Sequence, residues 1–98
     1  MDINYDKLPP YMQEAAQGYV EDGGPIGGFL TALFSNDLVK TYGKADSTNR
    51  EAIPVWLDFL YWEAPSPCWG SIEKVTKWQK SGGSNGCMTV SSVKEKSE

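Results

Sequence analysis

Ninety-eight residues with a formal net charge of −4 make one domain, since a chain this short closes one hydrophobic core but not two. The chain contains no histidine and only two cysteines, Cys68 and Cys87. A Ser-His-Asp triad, a Cys-His pair, a histidine-ligated zinc and a haem histidine are therefore all excluded.

Residues 1–63 hold ten Asp or Glu against four Lys or Arg, and residues 64–98 hold three against five. An acidic head repels phosphate backbones, so the expected partner is a basic protein surface and not nucleic acid directly. The plainer reading is an acidic surface that keeps the protein soluble. The polar run after Met1 lacks the apolar stretch of a signal peptide, and no apolar segment reaches the ~20 residues that span a bilayer. Both features lead us to expect a cytoplasmic protein that does not engage membranes, with free thiols.

Residues 1–8 read as a short irregular lead, because Pro9 and Pro10 suit the first turn of a helix that follows them. Met12, Ala15, Ala16, Tyr19 and Val20 then fall on one helical face, and Gly23-Gly24-Pro25 ends the helix. After Ile26-Gly27-Gly28, a second helical pattern opens at Phe29 and runs through Leu30, Leu33 and Phe34. A continuous helix would place Asp37 on the apolar face, where a carboxylate needs a partner. The alternative is a break at Ser35-Asn36-Asp37, with Asn36 or Asp37 capping a new short helix that stops at Gly43.

Thr48-Asn49-Arg50-Glu51 has capping-box spacing and predicts the start of a third helix. Ile53, Trp56, Leu57, Leu60 and Tyr61 share one of its faces, and Val55, Phe59 and Trp62 another. Pro54 lies within its first two turns. A helix apolar nearly all round is either central or turns its second face to another chain. Ala64-Pro65-Ser66-Pro67-Cys68-Trp69-Gly70 breaks the pattern as a rigid connector. Ser71 then caps a last helix in which Ile72, Val75 and Trp78 face inward.

The composition of Ser81-Gly82-Gly83-Ser84-Asn85-Gly86 reads as a linker. The expected architecture is all-α: a compact bundle of four to five short helices over residues 1–80, with a flexible tail containing Gly, Ser and Lys over 81–98.

Two constellations carry functional readings. The glycine turn before Phe29 leads to a helix amino terminus, whose free amides attract phosphate or carboxylate. Gly24, Gly27, Gly28 and Phe29, with Trp69 as a stacking platform, form a candidate ligand site. A tight helix-to-helix turn without a ligand explains the same glycines. The second constellation is the aromatic-rich second face of the third helix. Val55, Phe59 and Trp62, with Asp37, are candidate partner-binding residues, because aromatics bury large areas at low entropic cost; core packing is the competing explanation. Asp37, Asp58 and Glu63 lack catalytic companions, so no enzyme, metal or cofactor is expected.

Leu8-Pro9-Pro10-Tyr11-Met12, the segment Gly27 to Leu33, Asn36-Asp37-Leu38 and Ala64 to Ser71 together resemble small proteins of unassigned function from tailed phages and prophages. The resemblance covers about residues 8–78. It implies a host-cell setting and, among functions common to such proteins, an anti-CRISPR-like counter-defence factor that binds a host defence protein stoichiometrically. A homo-oligomeric sponge that sequesters a cyclic nucleotide or another phosphate-bearing immune signal is the alternative. A virion or regulatory accessory protein is the third.

Overall fold

A computed structural model of the chain describes residues 3–86. Among them every regular element is helical, as composition and periodicity predict, although the expected helices are more finely divided. The α-helices are α1 (Pro10–Asp22), α2 (Gly28–Phe34), α3 (Leu38–Lys44), α4 (Ser47–Glu51), α5 (Ile53–Asp58) and α6 (Ile72–Ser81). A π-helical turn, Phe59–Glu63, continues α5, and a 3-10 turn, Ser66–Cys68, precedes α6.

The proline pair starts α1 where expected, with Pro10 supplying the preset φ of a first helical residue. Gly23 ends it in the left-handed conformation at φ 68°, and its amide donates to the Tyr19 carbonyl at 2.9 Å. Helix α2 ends at Phe34. Asn36 takes φ 64°, and the amides of Asn36 and Asp37 donate to the carbonyls of Leu33 and Ala32. That pair of bonds is a Schellman closure with asparagine in the place glycine usually holds.

Asp37 then caps α3 by accepting from the Lys40 amide at 3.2 Å, so its carboxylate stays exposed and meets no apolar face. Helix α3 runs through Gly43 to Lys44. The cap of α4 is Asp46, which accepts from the Asn49 amide at 2.8 Å, in place of Thr48. A carboxylate there also complements the positive helix end. The chain breaks again at Ala52, and Pro54 falls in the first turn of a fresh helix where its missing N–H leaves no bond unmade.

The core is a chain of rings that joins distant segments. Phe29 meets Trp56 edge-on at 5.6 Å between centroids, Trp56 meets Phe59 at 6.3 Å, and Phe59 meets Tyr5 of the amino-terminal lead at 5.5 Å. Tyr19 packs on Phe34 at 4.5 Å. Offset and edge contacts of this kind add to the area the rings bury.

Each of the three large polar aromatics in the core also has a hydrogen bond. Trp56 Nε1–H donates to Asn49 Oδ1 at 3.1 Å, and Tyr19 Oη–H donates to the Cys68 carbonyl at 2.6 Å. Trp78 Nε1–H is shared between the carbonyls of Tyr19 and Val20, both at 3.1 Å, which ties α6 to the carboxyl end of α1.

Ile72, expected to face inward, is half exposed. Val75 and Trp78 carry the inward face of α6 without it; Ile72 is the first residue of the helix, next to its Ser71 cap.

Residues 82–86, which composition reads as a linker, fold back on α1. Gly82 and Gly83 both have positive φ, 86° and 72°, and residues 83–86 are helical. A Cβ on Gly83 would lie 2.5 Å from Glu21 C and Gly23 N, and one on Gly23 would lie 2.9 Å from Gly83 N. The two glycine backbones touch, so both positions require hydrogen as a side chain. Ser84 is buried, and Asn85 Nδ2 donates to Asp22 Oδ1 at 2.9 Å. The expected tail from 87 onward, including Cys87, lies outside the described residues.

Candidate partner-binding groove

The helix beginning at Ile53 does not turn either expected face squarely to the core. Trp56, Phe59 and Leu60 are buried, whereas Leu57, Tyr61 and Trp62 are exposed. The inward direction runs along the seam between the two apolar faces, taking Trp56 and Leu60 from one and Phe59 from the other. Phe59, expected on a partner surface, is thus corrected to a core residue, 3% exposed and held between Tyr5 and Trp56. Trp62 is 73% exposed, and its ring stands perpendicular to Tyr61 at 4.7 Å.

The last turn widens into a π conformation, with the Ala64 amide donating to the Phe59 carbonyl at 2.9 Å. Such turns are uncommon and cluster at functional sites. Here the wide turn ends at Glu63, whose Oε1 accepts the Asn4 amide at 3.0 Å. That bond lays the amino-terminal lead beside α5 and opens a groove of about 260 Å³ between them. Val55, Asp58, Phe59, Trp62 and Glu63 form one wall and the floor, and Asn4, Lys7 and Leu8 form the other wall. Val55 and Trp62, two of the four expected partner residues, therefore meet at one site, with the core residue Phe59 beneath them. Asp37 is not among its lining residues and serves as the α3 cap.

The expected ligand cluster does not assemble. The Gly24 amide donates to the Gly18 carbonyl at 3.1 Å and the Gly24 carbonyl accepts from Gln79 Nε2 at 3.3 Å, so its backbone groups are committed to the turn. Gly27 and Gly28 are exposed at the start of α2, and the Gly27 carbonyl receives the Thr31 amide. Phe29 is corrected from a ligand contact to a core residue by its packing on Trp56. Trp69 lies at the other end of α2: the neighbouring Gly70 amide donates to the Phe34 carbonyl at 2.8 Å. The rise along α2 separates these ends by roughly 9 Å. Its ring is half-buried against the core. Of the turn's glycines, Gly23 is the one whose backbone demands the residue, at positive φ and against Gly83, whereas a Cβ on Gly27 would meet nothing within 4 Å.

Cys68 is fully buried and free, and burial pushes its thiol up to about 12. A thiol held neutral in this way is a small packed side chain and a poor nucleophile. Among the described residues no group of His, Cys, Asp and Glu is arranged to hold a metal ion, and no helix is long and apolar enough to cross a membrane.

The groove's lead-side wall was not legible in the sequence. Leu8 is almost wholly buried and Tyr5 Oη–H donates to Glu21 Oε2 at 3.1 Å, so the lead that reads as an irregular end is bound into the domain. The apolar spacing Ile3, Tyr5, Leu8 was the available signal, and it has neither helix nor strand period. Comparison with protein-family models, with curated proteins and with solved structures finds no match to this chain.

Proposed function

We propose that this protein is a non-enzymatic binder that acts by occupying a basic surface of a host protein, in the manner of a phage-encoded inhibitor of host defence working in the host cytoplasm. The observation that carries the binding reading is the exposed Tyr61–Trp62 pair beside a groove with two carboxylates. Exposed tryptophan is uncommon on a surface with no partner, and aromatic anchors are where interface energy concentrates. The acidic charge speeds encounter with a basic partner. The phage and counter-defence setting rests on the motif resemblance alone.

A nucleotide sponge draws little support from the geometry, since the Gly24 amide and Phe29 are committed within the fold, Trp69 lies at the far end of α2 and the groove is acidic. The test is dose dependence. Expressed at graded levels in cells with an active defence system, a stoichiometric inhibitor restores phage plating only when its copy number reaches that of its target. Protection at copy numbers far below every defence component would mean turnover and would refute occupancy.

A further inference from the structure

The groove has a shape, a charge and an aromatic wall that together select one kind of occupant. Its volume of about 260 Å³ lies below the roughly 300–1,000 Å³ of sites that enclose a drug-sized ligand. One long side chain fits that scale. Its floor is apolar, with Phe59 buried and Val55 half-buried, and accepts a methylene stem. Its rim carries the carboxylates of Asp58 and Glu63 against one ammonium, Lys7. The Tyr61 ring braces the indole of Trp62 edge-on.

A planar cation satisfies all of these features at once. Guanidinium is weakly hydrated, stacks on an indole face and presents a fork of donors to a carboxylate. An ammonium is a strongly hydrated point charge with no planar face, so the aromatic wall favours it less. A phosphate group is repelled by the two carboxylates.

The geometry points to a docking site for an arginine-bearing basic segment of a partner protein, with the guanidinium against Trp62 and paired with Asp58 while its stem covers Val55 and Phe59. This assignment rests on the partner-binding reading and names its chemistry. Glu63 holds the groove open through Asn4 and contributes charge, and Lys7 on the opposite wall competes with the incoming cation.

The test uses the full-length protein, labelled with ¹⁵N and titrated at low salt with acetylated, amidated tetra-arginine and, separately, tetra-lysine. Tetra-arginine is expected to shift the amides of residues 55–63 and the Trp62 indole, and to bind roughly threefold or more tightly than tetra-lysine. Trp62→Ala, at an exposed position that leaves the core intact, should weaken tetra-arginine binding roughly fivefold, as should Asp58→Asn. Lys7→Ala should strengthen it about twofold by removing the competing charge, an effect that damage to the fold cannot imitate.

Shifts absent from residues 55–63, equal affinity for the two peptides, indifference to Trp62→Ala, or weakening by Lys7→Ala would each overturn the assignment. The partner-binding reading fails separately. Arginine-selective binding here, with no host protein bound at stoichiometric level, retains the groove chemistry and removes the host-protein role. A host protein held equally well by Trp62→Ala and Asp58→Asn retains the role and removes this groove from it.

Discussion

Gly83→Ala should destabilise the domain severely, although the sequence around it reads as a linker. The new Cβ would sit 2.5 Å from Glu21 C, 2.5 Å from Gly23 N and 2.6 Å from Asp22 N, all backbone atoms that no rotamer change can move. Forcing such contacts costs about 1–3 kcal/mol in a packed interior. The positive φ of 72° adds roughly 1–2 kcal/mol for a residue with a Cβ. A loss of about 2–5 kcal/mol is a large share of the roughly 5–15 kcal/mol that holds a domain of this size together.

Gly18→Ala is the matched control. Gly18 lies inside α1 with nothing within 4 Å of a Cβ, so alanine there should stabilise by about 0.5–1 kcal/mol. Urea unfolding followed by circular dichroism measures both, with the slope checked for constancy. The Gly83 variant should also melt about 10–30 °C lower. If it unfolds within about 0.5 kcal/mol of the parent, residues 82–86 do not pack on α1 and the reasoning is refuted.

Three further outcomes follow from the same contacts. Tyr19→Phe should cost about 1–3 kcal/mol, because it orphans the buried Cys68 carbonyl; a neutral result in the same urea assay would show that the carbonyl finds another donor. Native protein should resist iodoacetamide at Cys68 at pH 8 and react there in urea, as peptide mass mapping would read; rapid native labelling would contradict a buried thiol pushed up to about 12.

The Tyr11–Asp46 hydrogen bond should shape both ends of the pH profile. It lowers the Asp46 carboxyl, together with the Asn49 amide, and raises the Tyr11 hydroxyl. A lowered carboxyl contributes stability above the ordinary carboxylate range and loses it as pH falls through its folded value. A raised phenol contributes below its ordinary value and loses it as pH rises toward its folded one. Tyr11→Phe should therefore flatten both limbs of a melting-temperature profile, and unchanged limbs would count against the bond.

The sequence was most legible where one residue type settles the backbone by itself. Pro10, Gly23, Asp37 and Ser71 mark the helix boundaries the structure has, because a fixed φ, a left-handed turn or a side-chain acceptor acts locally. Thr48 misled by two residues, since Asp46 offers a stronger acceptor to the same helix start. The groove was half legible. Periodicity drew Val55, Phe59 and Trp62 together, but only tertiary packing decides that Phe59 points into the ring stack and Trp62 away from it. The lead-side wall and the glycine contact between residues 23 and 83 depend on segments distant in sequence, which no local pattern encodes.

The most direct test of occupancy through this surface is quantitative copurification from host cells of tagged wild-type protein and of Trp62→Ala, with the stability of both checked by thermal melting. One host protein should be recovered near equimolar ratio with the wild type and depleted with the variant, while the two melt alike. Recovery of no host protein near that ratio, or equal recovery with both, would contradict occupancy through this surface.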